Sequence, residues 1–537
     1  MKKSLLIGLL AAAIGIDAHA EQYPPQLKEV IAQESIISDT QRKLLPSAPA
    51  SLMAESEHPP SFDPLIVESP CVVIHHVALP TERQNPRAFN RLAQSAVGHC
   101  LGSQGLAHMQ RQLQNQLIAR GYITSRVRLV SEGRAAERLT VDVDYGRIGQ
   151  LNMRAGSSPH FHPAFTFPLA PGEVLDLRRV EQGLENIGLI PGVLSDIRIV
   201  PGARPGESDI EIFRRQDKYW RVTAWLDDAG TRSTGRYQAG GALYLDNLAG
   251  VNDVLYASAA RSIFAAQGRD SASRALYYSL PLGFWSLGTL AGDSRYQQTI
   301  NGHAVDYRYL GRSEYWGMQA RYTLARGMNQ KTMLNGQLLQ RSYRYYLNDT
   351  EIALQRASLT SLKLGASHLH YTADAQISLA IDAVVGSGAD NRQPMMQFAG
   401  SVLRPFTLSD YRLRYLGELS GQIADAMQPV QDKCFIGDRS TVRGFRGDNK
   451  LIGSNGGYLR NTLMLELNML QPYVGVDYGQ LRQHQGDVGG KLAGGVFGIQ
   501  TDKGPFFMDI FAGMPLIKPA ALPADRLVLG FSSQIGF

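Results

Sequence analysis

Residues 217–537 alternate between apolar residues and small or polar residues, in segments of about ten residues that clusters of Gly, Asn, Asp and Ser separate. The last segment shows the pattern most clearly, with one face formed by Leu527, Leu529, Phe531, Ser533, Ile535 and Phe537. A β-strand that crosses a membrane needs about 9–11 residues, and its side chains alternate between lipid and the barrel interior. A soluble β-sandwich has the same alternation in shorter strands, so the pattern alone leaves both architectures open.

The N-terminus indicates that the protein is exported. Two lysines precede an apolar run over residues 5–16, and residues 18–20 fit the small-x-small cleavage rule, which predicts a signal peptide over residues 1–20. The mean hydropathy of -0.17 excludes a polytopic helical membrane protein, but membrane β-barrels also average near neutral. Export, together with the aromatic final residue Phe537, favours a membrane β-barrel over a soluble sandwich.

The length of this region also predicts the size of the barrel. Sixteen strands would take about 20 residues each from residues 217–537, which leaves room for short turns and several long loops. The barrel must close because lipid cannot satisfy the hydrogen bonds of a free strand edge, and an even number of strands is the default.

Four further regions precede the barrel. Residues 21–45 have apolar residues at roughly helical spacing and predict one amphipathic helix, and residues 46–70 hold six prolines and predict an extended linker. Residues 71–147 predict a compact α/β module, and residues 148–216 repeat its order of elements in degenerate form. We therefore expect a tandem pair of small domains, with a single larger α/β domain as the alternative.

The chain has three cysteines, and export makes disulfides possible. Cys71 and Cys100 are 29 positions apart and bracket one candidate module, so we predict that they pair. Closing that loop would stabilise the fold by about 3–4 kcal/mol in the chain-entropy model. Cys434 is left over, and the alternative is that all three thiols are reduced.

Three groups of motifs follow one another along the mature chain. The first group is segments 71–76, 100–101 and 121–127, and the second is segments 175–178, 181–184 and 201–209. The third group is Thr441-Val442-Arg443-Gly444-Phe445, followed by Gly475-Val476-Asp477-Tyr478-Gly479.

The order and spacing of these motifs resemble the outer-membrane transporter of two-partner secretion systems, which exports a large partner exoprotein. The first two groups resemble the first and second POTRA domains of that family. In the third group, residues 441–445 resemble the signature at the tip of the long sixth loop, and residues 475–479 resemble the strand motif that faces it. The adhesin, haemolysin and contact-dependent-inhibition branches share these motifs.

The resemblance implies an all-β membrane fold, a sixteen-stranded outer-membrane β-barrel of a Gram-negative bacterium. It further implies a plug helix at 21–45, two periplasmic POTRA domains at 71–147 and 148–216, and a loop around 430–458 that folds into the lumen. The POTRA domains would capture one cognate exoprotein, an adhesin, haemolysin or contact-dependent inhibition toxin. This client would cross the barrel unfolded, without ATP, after plug withdrawal and under control of the loop. The partners expected are this exoprotein and outer-membrane lipid, and the protein is expected to be a monomer.

The loop and strand motifs supply one candidate site, which we call the loop lock: Arg443, Gly444, Phe445, Asp477 and Gly479. A charged side chain inside a barrel needs a partner because desolvation without one is costly. The motif supplies Asp477, and a bidentate contact with Arg443 would pin the loop tip to the inner wall. Gly444 would allow a tight turn, and Phe445 would pack against the lumen side. The alternative is that these residues form an exposed turn of a long loop.

A second candidate site is the segment Gly121, Tyr122, Ile123 and Thr124, followed by Arg126. These residues would bind an extended client by strand addition to an exposed POTRA edge, which recognises backbone with modest demands on sequence. The alternative is that Tyr122 and Ile123 are only core and turn residues.

Other classes of function find little support in the sequence. The motifs H-E-x-x-H, C-x-x-C and G-x-S-x-G are absent, so no enzyme activity and no cofactor are expected. His160 with His162, and His368 with His370, stand two apart without a third ligand, so no metal site is predicted. A net charge of +6 is too mild to imply nucleic acid. The main functional alternative is an assembly factor of the same superfamily that inserts other barrels, for which more POTRA repeats would be expected.

Overall fold

The computed structural model describes residues 68–79, 87–132, 138–301, 305–388, 394–482 and 487–537. The predicted signal peptide, the predicted plug helix and the linker up to residue 67 lie outside the described residues. None of the helices in the described part of the chain is long and apolar enough to cross a membrane.

The first module is a small α/β unit with its own core. Its elements are β1 (Val72–Val73), β2 (His76–Ala78), α1 (Arg87–Gln94), β3 (Cys100–Leu101), α2 (Ser103–Arg120), β4 (Arg126–Glu132) and β5 (Arg138–Asp144). The sheet order is β2-β5-β4, and β1 pairs separately with β3. Helix α2 buries Met109, Leu113 and Leu117 against the sheet because these residues recur on one helix face. Cys71, which directly precedes β1, forms a disulfide with Cys100 of β3, and their Cα atoms lie 5.3 Å apart.

The second module follows directly and has a separate core. Its elements are β6 (Arg147–Met153), α3 (Pro163–Thr166), α4 (Leu177–Gly188), β7 (Leu194–Pro201) and β8 (Glu207–Arg215). The sheet order is β6-β8-β7, with β6 parallel to β8. Asp176 is the N-cap of helix α4, and its carboxylate accepts a hydrogen bond from the backbone N–H of Arg178 at 2.9 Å. The apolar face of α4 packs on Ile210 and Ile212 of β8.

The rest of the described chain forms one closed antiparallel barrel. Its strands are β9 (Trp220–Asp227), β10 (Tyr237–Asp246), β11 (Val254–Ile263), β12 (Asp270–Leu282), β13 (Trp285–Asn301), β14 (Asp306–Arg326), β15 (Gln330–Leu347), β16 (Thr350–Glu351), β17 (Ala357–Tyr371), β18 (Gln376–Ser387), β19 (Met395–Leu408), β20 (Tyr411–Ala424), β21 (Cys434–Ile436), β22 (Leu451–Gly453), β23 (Gly456–Leu465), β24 (Gln471–Leu481), β25 (Gly490–Lys503), β26 (Phe506–Ile517) and β27 (Val528–Gly536). Strand β27 pairs with β9 and closes the ring, β16 is a two-residue extension beside β15, and β21 and β22 form a separate hairpin. The expectation of a closed sixteen-stranded barrel is therefore confirmed for the described residues.

The alternation that predicted strands also sorts side chains between the two surfaces of the barrel. In β24 the side chains of Val474 and Val476 are exposed on the outside, whereas Asp477 and Gly479 are buried on the inside. Leu527, Leu529 and Phe537 of the last segment are likewise exposed. An outer surface of exposed apolar side chains is what a lipid-facing barrel requires.

The long connection between β20 and β23 turns back into the barrel, and β21 and β22 form a hairpin within it. Ile436, Val442 and Phe445 of this loop form one buried cluster with Leu481 and Leu492 of the wall. The strand after the loop begins at Gly456, slightly before the expected end of the loop near residue 458. Apolar contacts therefore hold the loop on strands β24 and β25.

Candidate functional site

The tip of the inward loop is joined to the wall by a buried ion pair. Arg443 Nε donates to Asp477 Oδ2 at 2.7 Å, and Arg443 Nη2 donates to Asp477 Oδ1 at 2.7 Å. The backbone N–H of Arg443 also donates to Oδ2, at 2.9 Å. Arg443 is 6% exposed and Asp477 is 0% exposed. Two parallel charge-assisted hydrogen bonds fix both the position and the orientation of the loop tip.

The ion pair reaches into the hydrogen-bond ladder of the wall itself. Strands β23 and β24 pair at Leu459 with Tyr478 and at Thr462 with Gly475, but residues 460 and 461 have no partners in this register. Instead, Asn461 donates its backbone N–H to Asp477 Oδ1 at 3.3 Å, and its carbonyl accepts from Arg443 Nη2 at 3.0 Å. The two side chains of the ion pair thus satisfy backbone groups of Asn461 that the ladder between β23 and β24 leaves open, Arg443 from the loop and Asp477 from β24.

A set of small residues makes room for this contact. A side chain on Gly494 would place its Cβ 1.6 Å from the Arg443 carbonyl oxygen, and one on Gly475 would lie 2.5 Å from Arg443 Nη2. Gly444 has a φ of +99°, a left-handed conformation that favours glycine, and a Cβ there would lie 2.4 Å from the carbonyl oxygen of Met514. Backbone therefore packs directly on backbone where the tip meets the wall.

The two remaining residues of the loop lock adjoin the apolar cluster of the loop. Gly479 lies against Val442 and Ile436, and a Cβ would lie 2.8 Å from Val442 Cγ2. Phe445 is buried in the apolar cluster of the loop. The structure thus brings together all five residues of the predicted lock, and their functional role remains a proposal.

The base of the loop has a second buried ion pair. Lys450 Nζ donates to Asp438 Oδ2 at 2.5 Å, and the backbone N–H groups of Ser440 and Thr441 donate to Oδ1 at 2.9 and 3.0 Å. Although burial opposes ionisation, the Lys450 ammonium and these donors hold the pKa of Asp438 well below its usual range. The turn that leads to the lock is therefore charged and internally bonded at neutral pH.

The predicted client-binding segment lies at the joint between the two α/β modules. Gly121 ends helix α2 in a left-handed conformation, and its carbonyl accepts from the backbone N–H of Leu177 at 2.9 Å. Tyr122 packs edge-on against Tyr145 at 5.7 Å, and Ile123 packs against the core of the second module. Burial raises the pKa of Tyr122, as does the nearby Asp176 carboxylate. Thr124 lies against Gly146, and Arg126 is exposed at the start of β4.

Strand β4 is an edge strand, but helix α2 covers the start of its edge. Gln114 Nε2 donates to the Ser125 carbonyl at 2.7 Å, and Gln114 Oε1 accepts from the Val127 N–H at 2.9 Å. Gln110 Nε2 donates to the Val127 carbonyl at 2.8 Å. A client strand would have to displace the side chains of Gln110 and Gln114 to pair at residues 125–127. The sequence did not predict these glutamine contacts.

A second buried ion cluster joins the second module to the periplasmic turns of the barrel, and we call it the junction cluster: Arg178, Glu181, Glu185, Arg326 and Lys331. Glu185 accepts short hydrogen bonds from both Arg326 and Lys331 of the barrel, and Glu181 pairs with Arg178 of its own helix at 2.9 Å. Arg326 Nε also lies 3.7 Å from Glu181 Oε2. These side chains are all less than 10% exposed.

The histidine pairs have structural partners instead of a third ligand. A ring nitrogen of His160 lies 3.0 Å from the carbonyl of Leu248, and one of His368 lies 2.9 Å from the hydroxyl of Thr332. No group of three or more His, Cys, Asp or Glu that could hold a metal occurs among the residues that the structure describes.

Comparison with known proteins supports one family. The model of the haemolysin secretion/activation proteins ShlB/FhaC/HecB matches residues 206–501, and the model of the ShlB-type POTRA domain matches residues 72–145. The chain belongs to the ShlB/FhaC/HecB family. Within the match to this family lie the barrel strands up to β24, most of β25 and the whole loop lock.

Similar proteins carry names that agree with this family. The outer membrane transporter CdiB-2 of Burkholderia pseudomallei (strain 1026b) is 28% identical over an alignment of 577 positions, which covers 98% of each chain. The hemolysin transporter protein ShlB of Serratia marcescens is 28% identical over 418 residues, with 74% of this chain and 73% of that protein covered. The solved structure of CdiB from Acinetobacter baumannii has a TM-score of 0.85 at 25% identity, and covers 96% of this chain and 100% of that one.

Three features of the site escape prediction from the sequence. Asn461 takes part through its backbone, so its residue type gives no signal. Gly475 belongs to the strand motif, but the motif did not predict its contact with Arg443. For Gly494, a glycine at a lumen-facing position of a predicted strand was the only available clue. The junction cluster joins residues as far as 146 positions apart, and no local pattern connects them.

Proposed function

We propose that this protein is the outer-membrane transporter of a two-partner (type V) secretion system, which moves a cognate large exoprotein from the periplasm to the cell surface. The exoprotein would be an adhesin, a haemolysin or a contact-dependent inhibition toxin. The observation that carries the proposal is the inward loop, whose tip is held on the lumen wall of a closed barrel by Arg443 and Asp477. A passive pore has no need for such a contact.

The membership of the ShlB/FhaC/HecB family and the names of the similar proteins support the same function. The barrel spans the outer membrane and the two POTRA domains lie in the periplasm, where they can meet an exported client. Client capture, passage of an unfolded chain and folding outside the cell need neither ATP nor a catalytic residue. We propose that the transporter acts as a monomer surrounded by outer-membrane lipid.

Within this function we assign the loop lock to passage through the barrel. The docked tip would frame the path of the client along the lumen, so a detached tip would obstruct or misdirect it. Removing Arg443 leaves the carboxylate of Asp477 buried without its partner, which costs about 3–5 kcal/mol for a buried pair. The loop should then leave the wall.

We propose a client-binding role for residues 121–126 that differs from the one expected from the sequence. The segment 121–124 shapes the joint between the two POTRA domains, and the edge of β4 beyond the glutamine contacts is the place for a client strand. Main-chain hydrogen bonds there would accept many sequences, which suits capture of an unfolded chain.

The test is secretion of the large exoprotein encoded beside this gene. We expect the exoprotein to reach the medium or cell surface with the wild-type transporter and to stay in the periplasm without it. Arg443→Ala should insert normally in the outer membrane and lower secretion at least about tenfold. Arg232→Ala is the control because it removes a largely exposed arginine that pairs with Asp448 of the loop and with Asp525.

An exoprotein that is exported without this transporter would contradict the proposed function. Normal secretion by Arg443→Ala would contradict the role of the loop lock only. If depletion instead removed many unrelated barrels from the outer membrane, the assembly-factor alternative would replace our proposal.

A further inference from the structure

A cleft of about 490 Å³ opens at the periplasmic rim of the barrel, where the second POTRA domain meets the turn between β12 and β13. We call it the rim cleft. Its POTRA side is formed by residues 164–170 together with Glu173 and Arg179, and its barrel side is formed by residues 282–285 and Tyr322. Among the described residues, none of the loop lock and none of β4 lines this cleft.

The barrel side of the rim cleft belongs to the lipid-facing surface. Leu282 is the register partner of Trp285, and Trp285 is the register partner of Tyr322, so the three side chains lie on one face of the sheet. Trp285 is 49% exposed on this face, and its ring lies 4.7 Å from that of Tyr322. Trp and Tyr at the end of membrane strands lie at the level of lipid headgroups.

The POTRA side adds an apolar group at the same level. Phe165 is 55% exposed although it lies in a tightly held segment. Its carbonyl accepts from the backbone N–H of Gly283 at 2.8 Å, and Asn186 Nδ2 donates to the carbonyls of Thr166 and Gly283 at 2.7 and 2.8 Å. The structure thus holds a large aromatic side chain of a periplasmic domain rigidly beside the lipid-facing rim.

The periplasmic end of the rim cleft carries one cation and one anion. Arg179 Nη1 donates to Glu173 Oε2 at 2.6 Å, and Glu173 also accepts from the backbone N–H of Ala170 at 3.1 Å. The guanidinium carbon of Arg179 lies 5.9 Å from the ring centre of Phe284, which forms part of the apolar lining. Both charged side chains remain partly exposed, so they can exchange their mutual contact for a ligand of matching charges.

We propose that the rim cleft binds one phospholipid of the periplasmic leaflet that carries a phosphoethanolamine headgroup. The acyl chains lie against Trp285, Tyr322 and Phe165, the phosphate accepts from Arg179, and the primary ammonium donates to Glu173. The cleft is continuous with the lipid-facing surface of the barrel, and its charge pair matches a zwitterion better than a net anion. Such a lipid would fill the space between the POTRA domain and the membrane, and hold Phe165 at the bilayer surface.

The experiment measures lipid retention by the mature, full-length transporter in detergent, using native mass spectrometry after incubation with defined lipids. The probes are phosphatidylethanolamine, phosphatidylcholine, whose quaternary ammonium has no N–H to donate, and phosphatidylglycerol, which has no cation. We expect one tightly retained phosphatidylethanolamine, with weaker retention of the other two. Arg179→Gln should lower this retention about tenfold because a charge-assisted contact to phosphate is lost. Glu173→Gln should abolish the preference over phosphatidylcholine.

Two matched tryptophan substitutions distinguish lipid binding in the rim cleft from general contact between lipid and the barrel surface. Trp285→Leu should lower retention of phosphatidylethanolamine, whereas Trp316→Leu should not. Trp316 of β14 is similarly exposed, at 51%, on the same face of the sheet, but it lies away from the cleft. Heat-modifiable migration in gels verifies that each variant is a folded barrel. Equal retention of the three lipids by the wild type, or unchanged retention in Arg179→Gln and Trp285→Leu, would overturn the proposal.

Discussion

Two of the buried ion clusters among the described residues, the loop lock and the junction cluster, join separate parts of the chain and are built differently. The loop lock pairs one cation with one carboxylate, Arg443 with Asp477. The junction cluster sets two carboxylates against three cations, and Glu185 alone contacts both Arg326 and Lys331. In a pair, the loss of either partner leaves a buried charge without compensation. In the junction cluster, the loss of one cation leaves equal numbers of both signs.

This difference indicates two kinds of attachment. Because the loop lock consists of one pair, removing either Arg443 or Asp477 breaks the whole contact. Such a contact suits an element that controls passage. The junction cluster shares its charges among several partners, and the backbone and amide contacts of Asn186 and Asn252 reinforce it. We therefore expect the junction to hold the POTRA domain below the barrel throughout transport, while the loop responds to single substitutions.

The largest expected effect is that of Asp477→Asn. The neutral amide cannot balance the buried guanidinium of Arg443, and the loop tip should lose about 3–5 kcal/mol of attachment. Hydrogen exchange of residues 438–447 measures this loss directly, and we expect strongly increased exchange. Asp525→Asn is the control, because Asp525 pairs at a partly exposed site with Arg446 of the loop and with Arg232 of the connection between β9 and β10. Unchanged exchange in Asp477→Asn would remove the distinction between the two clusters.

The next effect tests attachment without any change of charge. Gly494→Ala places a Cβ within 1.6 Å of the Arg443 carbonyl oxygen, which is backbone and cannot rotate away. We expect the tip to be displaced and secretion to fall severalfold although both charged groups remain. Gly495→Ala is the matched control, since its Cβ would meet only the outward side chain of Leu516 at 3.6 Å. Equal secretion by the two variants would show that close backbone packing is dispensable.

A smaller effect is expected at the junction, and its size should depend on the sign of the charge removed. Lys331→Met leaves two carboxylates with two cations and should change the free energy of unfolding by about 1 kcal/mol or less. Glu185→Gln removes a carboxylate that two cations share and should cost about 2–3 kcal/mol. Thermal or denaturant unfolding of the two variants measures the difference. Equal losses would mean that the junction cluster behaves as the loop lock does.

The smallest effect concerns a contact between two uncharged groups. Gln114→Ala removes two hydrogen bonds to the edge of β4 and should destabilise the first POTRA domain by about 1 kcal/mol. Gln104→Ala, an exposed substitution on the same helix, should have no measurable effect. Unfolding followed by circular dichroism compares the two variants, and an equal response would show that the glutamine contact does not hold the strand edge.

The sequence predicts the architecture well because strand periodicity is local. Leu527 and Leu529 alternate with Val528 and Gly530, and this predicts that the two leucines share one face of a strand. The exported destination and the length of residues 217–537 then predict a closed barrel of sixteen strands. Helix α2 was equally accessible to prediction, because Leu113 and Leu117 repeat at helical spacing and Gly121 follows at its end.

The contacts between distant segments could not be predicted in the same way. Arg443 and Asp477 are 34 positions apart, and only the resemblance of their motifs to a known family joined them. Glu185 and Lys331 are 146 positions apart and belong to no such motif, so nothing in the sequence indicated that they meet. The glutamine contacts on β4 were missed because Gln110 and Gln114 look like ordinary polar residues of an amphipathic helix.

The most direct test of our account replaces the ion pair by a covalent attachment. A Cβ on Gly479 would lie 2.8 Å from Val442 Cγ2, so Val442→Cys with Gly479→Cys brings two thiols together beside the lock. We would introduce both into Arg443→Ala, in a Cys434→Ser background, and measure secretion of the exoprotein under oxidising and reducing conditions. The Cys434→Ser transporter under the same reductant controls for reduction of Cys71 and Cys100. If attachment of the loop tip is what secretion requires, the oxidised variant should secrete close to the parent level and the reduced variant should not; a defect that persists after the new disulfide has formed would contradict the account.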